Sequence, residues 1–250
     1  MLQNKKIACV IPARLGSTRF AEKMLKSILD KPILQWVWQA ANSIEFFDDI
    51  IIGTDSKKIA DLVQSFGGKY IMTSQDCASG TDRVIEVMKS EKINADIWVN
   101  WQGDEPFITK SMISCLLQDC NDCNVDLWSL RKKIIKSQDI NSSNIAKVVC
   151  DNNNFALYFS RSTIPFYRDS NENNIYYKHV GIYAFTTQAL HKISNLEQSD
   201  LEMAEKLEQL RFLQNGLCIK MHETNEEVIG IDTVQDLENA INYAKLTFIN

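Results

Sequence analysis

Short apolar runs alternate with longer amphipathic stretches along the first half of this chain. The apolar runs are rich in β-branched and aromatic residues, which predicts strands at residues 6–11, 49–53, 69–72 and 96–101. Apolar positions at helical spacing predict helices at 32–43, 57–65, 82–90 and 111–120. This alternation predicts an α/β fold with a mainly parallel sheet between helices, and such sheets bind ligands at the carboxyl ends of their strands.

The pattern changes after residue 125, where short strands are joined by turns rich in Asn and Ser. Strands are predicted at 125–130, 146–150, 156–159 and 180–185. Two more helices are predicted, one from Leu201 to Asn215 that Gly216 ends and one at 234–249. This half therefore predicts a mixed, β-rich extension of the sheet, and no repeat or low-complexity linker divides the chain.

The composition is that of an ordinary globular domain. The 250 residues are 45% hydrophobic and 24% charged, which is enough to bury a large core within a single domain. A net charge of −5 repels nucleic acid and anionic membranes and favours small ligands. No apolar run approaches the roughly 18 residues that a bilayer requires. We therefore expect no nucleic-acid partner, no membrane insertion and a cytoplasmic location.

The seven cysteines are expected to be reduced thiols rather than disulfides. The spacing of Cys115, Cys120 and Cys123 matches that of plant-type iron–sulfur ligands, but a cluster there requires a fourth cysteine from elsewhere. Because Cys115 and Cys120 lie on a predicted helix and its end, we expect no cluster. The role of these three cysteines stays open.

The first predicted strand runs into a basic turn that carries Arg14, Arg19 and Lys23, with Gly, Ser and Thr between the cations. Backbone N–H groups and hydroxyls approach phosphate oxygens closely while Arg and Lys neutralise them, so the turn predicts a polyphosphate site. Neither a P-loop nor a G-x-G-x-x-G motif is present, so ordinary kinase, ATPase and dehydrogenase functions are not indicated. A solvated basic turn is the alternative.

Two aspartates follow apolar runs at points where the chain also carries glycine. Asp104 comes after the predicted strand at 96–101, and Asp232 comes just before the last predicted helix. Mg²⁺ takes one or two carboxylates together with phosphate oxygens and water, so the two residues predict a shared magnesium site. Gly103 and Gly230 are expected to allow close backbone approach. The alternative for Asp232 is the N-cap of the following helix.

Taken in chain order, these motifs resemble the family of 3-deoxy-manno-octulosonate (Kdo) cytidylyltransferases, the CMP-Kdo synthetases of lipopolysaccharide assembly. The resemblance covers nearly the whole chain and lies in Ile11-Pro12-Ala13-Arg14, Ser17-Thr18-Arg19, Lys23, Gly53-Thr54-Asp55, Ala78-Ser79-Gly80-Thr81-Asp82-Arg83, Gln102-Gly103-Asp104-Glu105-Pro106, Ala156-Leu157-Tyr158-Phe159-Ser160-Arg161, Lys178-His179-Val180-Gly181-Ile182-Tyr183, Leu207-Glu208-Gln209-Leu210-Arg211 and Ile231-Asp232-Thr233. CMP-sialate synthetases share the first loop but are less similar elsewhere.

The resemblance implies a three-layer, Rossmann-like fold of the nucleotide-diphospho-sugar-transferase type in a single nucleotidyltransferase domain. Within it, a nucleotide-binding part would span about 1–124, a sugar-binding and dimerisation part about 125–230, and a C-terminal helix 234–249. The implied protein is a homodimeric enzyme that transfers CMP from CTP to the anomeric hydroxyl of Kdo, releases diphosphate and uses Mg²⁺.

The resemblance also implies a role for individual residues. Asp104 and Asp232 would hold the metal, while Arg14, Arg19 and Lys23 would bind the phosphates and stabilise the leaving pyrophosphate. The rest of the nucleotide site would consist of Ser17, Thr54, Asp55, Ser79, Gly80 and Arg83. The last three would lie beside the cytosine, although Ser79 also fits a helix N-cap.

Contacts to the sugar are implied for Gln102, Arg161, His179, Tyr183, Glu208 and Gln209. Donors among them would bind the sugar carboxylate, and Glu208 would bind ring hydroxyls. The alternative for His179 is a hydrogen-bonded structural histidine. Glu208 flanks an apolar helical stripe, so a solvated surface position is its alternative.

One segment departs from the family pattern. Phe20-Ala21-Glu22-Lys23-Met24 stands where the family usually has Leu-Pro-Gly-Lys followed by Pro. The change loses a rigid Pro and a flexible Gly and adds an acid beside the triphosphate site, which predicts weaker nucleotide binding. Two alternatives to Kdo activation follow: CTP-dependent activation of another acidic sugar, such as 8-amino-Kdo or a nonulosonate, and a degenerate nucleotide-binding relative without turnover.

Overall fold

The computed structural model of the chain describes residues 4–16, 20–169 and 174–248. The chain divides into two units, the first formed by the residues up to Ile113 together with those from Glu227 onward, and the second by Ser114–Glu226. Among the described residues, no helix combines the length and the apolar character that spanning a bilayer requires.

A parallel sheet forms the centre of the first unit. Its strands lie in the order β6 (Ile97–Asn100), β1 (Ile7–Ala13), β4 (Asp49–Thr54) and β5 (Lys69–Met72). Every residue of β1 is buried, which explains why this strand is a continuous apolar run rather than an alternating one. The helices that pack against these strands are α1 (Ile33–Asn42), α2 (Lys57–Ser65) and α3 (Gly80–Lys89).

The last described helix, α9 (Val234–Phe248), returns to the first unit and packs against the short hairpin of β2 (Ser27–Ile28) and β3 (Lys31–Pro32). Its buried Ala240 and Ala244 share an apolar cluster with Phe107 and Ile231. Because Ile231 is fully buried and directly precedes Asp232, this cluster anchors the segment that carries the aspartate.

The second unit contains a mixed sheet. Strand β7 (Leu127–Lys133) pairs in parallel with β11 (Ile219–Glu223) and antiparallel with β10 (Tyr177–Thr186). Strand β10 also meets β8 (Lys147–Cys150), which pairs antiparallel with β9 (Ala156–Ser160). The helices of this part of the chain are α4 (Lys110–Leu116), which begins in the first unit, α5 (Ser137–Ile140), α6 (Thr187–Ile193), α7 (Asp200–Glu205) and α8 (Gln209–Gln214).

The α/β class, the mainly parallel sheet and the β-rich extension are confirmed, and α2 and β5 have the predicted bounds. The single helix predicted from Leu201 to Asn215 is wrong, because α7 ends at Glu205 and Lys206 adopts a left-handed conformation with φ of 54°. The apolar spacing continues across the break, but contacts from Arg161, the residue after β9, fix the corner between the two helices. The helix predicted at 111–120 ends at Leu116.

Candidate active site

The carboxyl ends of β1 and β6 and the first turn of α3 border a cavity of about 190 Å³ in the first unit. The predicted site residues that line it are Arg14, Lys23, Ser79, Gly80, Arg83, Gln102, Asp104 and Asp232. Residues far apart in the sequence thus meet at the sheet edge where an open α/β sheet binds its ligands. Ser17 and Arg19 lie outside the described residues, so their predicted contacts stay predictions.

The Lys23 ammonium lies between the two aspartates. Its Nζ donates to Asp104 Oδ2 over 2.5 Å and to Asp232 Oδ1 over 2.9 Å, and the residue is only 7% exposed. Burial lowers the pKa of this ammonium, but the attraction and hydrogen bonds of the two carboxylates outweigh that effect, so its pKa lies above the ordinary value. The structure therefore brings both predicted metal ligands to one positive charge.

Capping of helix α9 falls to Thr233 and not to Asp232. Thr233 Oγ1 accepts from the amide of Asp236 over 3.2 Å, and the Asp236 carboxylate accepts from the amide of Thr233 over 2.9 Å. This reciprocal pair is a capping box, and the Thr-x-x-Asp spacing in the sequence is its signal. The Asp232 carboxylate is directed to Lys23 instead, so the N-cap alternative for Asp232 is wrong. Sequence reasoning missed Asp236, which also accepts from the Asp232 amide.

The approach of Asp104 to the cavity depends on Gly103. A Cβ at Gly103 would lie 2.7 Å from the carbonyl oxygen of Pro12 and 3.1 Å from the Met24 side chain, so only glycine fits there without a backbone shift. The Asp104 carbonyl accepts from the Ile231 amide over 3.0 Å, which ties the segments of the two aspartates together. The same expectation for Gly230 is wrong, because a Cβ there would meet no described atom within 4 Å.

Glu105 is a third acid beside the carboxylate pair. Burial raises its pKa to about 8, and repulsion from Asp104 and Asp232 acts in the same direction against the attraction of Lys23. Its Oε2 atom has no hydrogen-bond partner among the described residues. Glu105 is therefore mainly protonated at neutral pH, so it adds little negative charge next to the two aspartates.

The side of the cavity that contains Arg83 is held by hydrogen bonds between buried groups. Arg83 is buried, and its guanidinium donates to Asp55 Oδ2 and to Thr73 Oγ1, each over 2.6 Å. The described lining of the cavity includes Arg83 but neither Asp55 nor Thr54, which is fully buried at the end of β4. Ser79 caps α3 through a capping box with Asp82 and also lines the cavity, so both of its expected roles fit.

Glu22 stands in the segment that departs from the family pattern. It adopts a left-handed conformation with φ of 51°, which favours glycine, the residue that the family usually has there. Its carboxylate accepts from Lys58 Nζ over 2.8 Å, and that hydrogen bond with its attraction lowers the pKa of Glu22. The acid thus has a cationic partner outside the cavity lining, which reduces its expected repulsion of a triphosphate.

Four of the predicted sugar residues lie together in the second unit. The His179 ring contacts the rings of Phe159 and Tyr183, and its Nδ1 is 3.3 Å from Gln209 Nε2. Glu208 precedes Gln209 at the start of α8 and accepts from Arg211 over 2.9 Å. Burial lowers the pKa of His179 to about 3, so its imidazole is neutral at physiological pH. Its Nε2 is 2.9 Å from Ser129 Oγ, so both ring nitrogens already have partners, which favours the alternative of a hydrogen-bonded structural histidine.

Arg161 is held by the backbone. Its guanidinium donates to the carbonyls of Ser143, Glu205 and Lys206 over 2.9, 2.7 and 3.3 Å, so three of its five N–H groups are committed. Its own carbonyl accepts from the fully buried Lys147 over 2.7 Å. These contacts fix the corner between α7 and α8, which is the physical reason for the break in the predicted long helix.

The cysteines form no metal centre in the described part of the chain. Cys115 is half-buried, Cys120 is buried and Cys123 is exposed. Among the described residues, no group of three or more His, Cys, Asp or Glu side chains is arranged to hold a metal ion. Asp104 and Asp232 thus provide a pair of carboxylates that would need phosphate oxygens or water to complete a coordination shell.

Comparison with known proteins extends these observations. A sequence model of the cytidylyltransferase family matches residues 8–225. The 3-deoxy-manno-octulosonate cytidylyltransferase of Thermodesulfovibrio yellowstonii is 46% identical over 93% of this chain and 95% of its own length. The protein of the same name from Flavobacterium johnsoniae is 44% identical over 94% of this chain and 97% of its own length.

A solved structure of the same family is also similar to this chain. The structure of a CMP:2-keto-3-deoxy-manno-octonic acid synthetase complexed with CTP superimposes with a TM-score of 0.91 and 40% identity, covering 96% of this chain and 99% of that one. Sequence and fold thus agree over almost the full length. The chain belongs to the 3-deoxy-manno-octulosonate cytidylyltransferase family of the cytidylyltransferases.

Proposed function

We propose that this chain transfers CMP from CTP to the anomeric hydroxyl of Kdo and releases pyrophosphate. The observation that carries the proposal is the convergence of Lys23, Asp104 and Asp232 with the Ser79–Arg83 turn around one cavity. In a chain of this family, that arrangement supplies a cation for phosphates, carboxylates for a metal and a rigid wall for a base. Two ligands of the implied reaction, a nucleoside triphosphate and a divalent ion, match these groups.

Asp104 and Asp232 would hold Mg²⁺. Both carboxylates lie within hydrogen-bond distance of a single positive charge, the Lys23 ammonium, so the donor set suits a cation that takes few carboxylates and completes its shell with phosphate oxygens and water. When bound, the ion supplies charge stabilisation at the α-phosphate and makes the attacking hydroxyl more acidic.

The residues of the chain act by positioning and by charge. Arg83, fixed by Asp55 and Thr73, and the Ser79–Gly80 backbone would orient the cytosine. Arg14 and Lys23 would neutralise the charge that develops on pyrophosphate as its bond to the α-phosphorus breaks. The anomeric oxygen forms the new bond to that phosphorus and gives up its proton to solvent. No covalent enzyme intermediate is required.

We infer a sugar contact for Gln102, which lines the cavity of the first unit. Within the second unit, His179, Tyr183, Glu208 and Gln209 lie together and are the other candidates for sugar contacts. The Gln209 amide would meet sugar hydroxyls, and the neutral His179 imidazole would hold that amide in place. The carboxylate of Kdo would bind the Gln102 amide. Arg161 would support the corner that presents Glu208 and Gln209.

The proposal includes a homodimer that works in the cytoplasm, where nucleoside triphosphates are available. Large apolar side chains on the second unit support self-association: Phe166 is 88% exposed and Ile135 is 78% exposed. Light scattering coupled to gel filtration tests the dimer, and a Phe166→Ser variant that stays dimeric would argue against a role for that side chain.

Pyrophosphate release measured with each of the four nucleoside triphosphates and a panel of acidic sugars tests the function. We expect release with CTP and Kdo and none without Mg²⁺. If pyrophosphate is released only with 8-amino-Kdo or only with a nonulosonate, that sugar and not Kdo is the substrate. Equal use of UTP would contradict the assignment of the base wall, and no release with any pair would contradict the enzyme proposal.

A further inference from the structure

The position of Lys23 has a consequence for how the metal site is formed. The ammonium is 2.5 Å from Asp104 Oδ2 and 2.9 Å from Asp232 Oδ1, so it occupies the point on which both carboxylates converge. A divalent ion ligated by these same two oxygens requires the same place, because Mg²⁺–oxygen distances are only about 2.0–2.1 Å. The lysine and the ion therefore cannot both hold the pair in this arrangement.

We propose that Lys23 competes with the divalent cation for the Asp104 and Asp232 carboxylates, and that the triphosphate releases the site by giving the ammonium another partner. This inference rests on the proposed function for its metal and its nucleotide. It adds that Lys23 changes its partners: the ammonium pairs with the two carboxylates before the nucleotide binds and with phosphate oxygens afterwards.

Burial and charge support the exchange. Lys23 is 7% exposed, and a buried ammonium is stable only when it is paired. The two carboxylates with one lysine carry a net charge of −1, whereas the same carboxylates with a divalent ion are neutral. An ion that approaches while the ammonium stays in place meets repulsion at short range. A triphosphate removes that barrier because it brings phosphate oxygens that accept from the same ammonium.

The segment around Lys23 also suits such a movement. Lys23 begins a single 3-10 turn, Lys23–Leu25, directly after the left-handed Glu22. The main chain of this turn is tied by short-range hydrogen bonds, from the Leu25 amide to the Glu22 carbonyl and from the Lys26 amide to the Lys23 carbonyl. A long side chain on such a turn changes its partner by rotamer changes alone.

Two binding measurements without sugar test the proposal. Calorimetric titration of nucleotide-free protein with Mn²⁺ should give an affinity at least about tenfold higher for Lys23→Met than for wild type, because a competing charge is removed at short range. Titration with CTP in the presence of EDTA should give a lower affinity for the same variant. If Lys23 had only a structural role, its replacement would weaken the binding of both Mn²⁺ and CTP. Tighter Mn²⁺ binding together with weaker CTP binding therefore identifies the competition.

Controls separate the possible causes. Lys23→Arg keeps the charge and should bind Mn²⁺ as weakly as wild type. Lys57→Met removes an exposed charge at the start of α2 and should behave like wild type in both titrations. Lys23→Gln is the second neutral variant if Lys23→Met does not fold. Adding Asp104→Asn to Lys23→Met should abolish the gain in Mn²⁺ affinity.

A neutral variant that binds Mn²⁺ no more tightly than wild type overturns the proposal, and so does a gain that persists with Asp104→Asn. Failure of the proposed function has a different readout, since it would appear as wild-type protein that releases no pyrophosphate from CTP with any acidic sugar. Gain of Mn²⁺ affinity together with inactive wild-type protein would support the competition and contradict the transferase proposal.

Discussion

Asp236 holds the backbone of Asp232 in place: its carboxylate accepts from the Asp232 amide over 3.1 Å while it shares the capping box of α9 with Thr233. The carboxylate of Asp232 is left to face Lys23. Asp236 thus caps the helix, and Asp232, four residues earlier, lines the cavity. This division explains why the Asp232 carboxylate, although it stands at the start of a helix, faces the cavity and does not cap the helix.

Asp236→Ala should destabilise the protein and loosen the proposed metal site together. Loss of a helix cap costs about 1 kcal/mol of unfolding free energy. Because Asp232 loses a backbone partner, the Mg²⁺ concentration for half-maximal activity should rise severalfold, while the KM for CTP changes less. Urea unfolding and steady-state kinetics measure the two effects. The exposed Asn239→Ala on the same helix is the control, and an unchanged Mg²⁺ requirement in Asp236→Ala would contradict the positioning role.

Gly103→Ala should reduce activity strongly. The added Cβ would lie 2.7 Å from the Pro12 carbonyl oxygen, so the backbone that carries Asp104 must shift. Overpacking of this kind costs about 1–3 kcal/mol of stability. We expect kcat to fall by at least about tenfold because small displacements of reacting groups are costly. Gly230→Ala, where a Cβ meets no described atom within 4 Å, should leave kcat within twofold of wild type, about the scatter expected for an exposed substitution.

Glu22→Gly should improve nucleotide binding. The change restores the residue type that a left-handed φ favours and removes an acid from the loop that leads to Lys23. We expect a lower KM for CTP and a higher melting temperature. Lys58→Met should raise the KM for CTP, because it leaves the Glu22 carboxylate without its ion-pair partner. Steady-state kinetics and thermal unfolding check both variants, and equal KM values in all three proteins would mean that the Glu22 charge does not reach the triphosphate.

Arg161→Gln should weaken sugar binding, because it loosens the corner between α7 and α8 that carries Glu208 and Gln209. Carbonyls that lose their donor cost about 1–3 kcal/mol of stability when they stay buried. We expect a higher KM for Kdo with an unchanged KM for CTP. Arg161→Lys should not rescue the loss, because an ammonium cannot reproduce the planar fork that reaches the carbonyls of Ser143, Glu205 and Lys206. Full rescue by lysine would indicate a direct charge contact with the sugar. The exposed Lys133→Gln is the control.

Stability at mildly acidic pH should depend on His179. Its pKa is about 3 in the folded chain and 6.5 in a model peptide, so the unfolded state binds more protons between these values and stability falls as pH falls through that window. Between pH 7 and pH 5 the loss amounts to about 2 kcal/mol. In His179→Gln that part of the pH dependence should disappear, while the exposed His191→Gln should keep it. Urea unfolding at the two pH values decides the matter.

Much of the fold follows from local pattern. Strands such as β1 are long apolar runs, and α2 ends at Ser65, just before Gly67–Gly68, as its sequence predicts. The family prediction is confirmed by the relatives. The break at Lys206 could not be predicted, because it depends on Arg161, which lies more than forty residues earlier in the chain. The short strands β2, β3 and β11 were missed since two to five residues carry little periodic signal.

The candidate site was predictable as a set of residues and not as a set of contacts. The strand-end rule places Arg14, Asp104 and the Ser79 turn at one sheet edge. The pairing of Lys23 with both aspartates needs side-chain conformations that no spacing encodes. The protonated Glu105 was equally hidden, since its pKa depends on burial and on the charges of Asp104 and Asp232.

The return of the chain to its first unit has a consequence during synthesis. Asp232 and α9 are made after the whole of Ser114–Glu226, yet they complete a site whose other described residues were made much earlier. A nascent chain on the ribosome therefore exposes the partner surface of α9, including Ile28 and Phe107, until α9 has emerged. Products that stop short of residue 232 would expose this apolar surface and would lack one of the two aspartates that line the cavity.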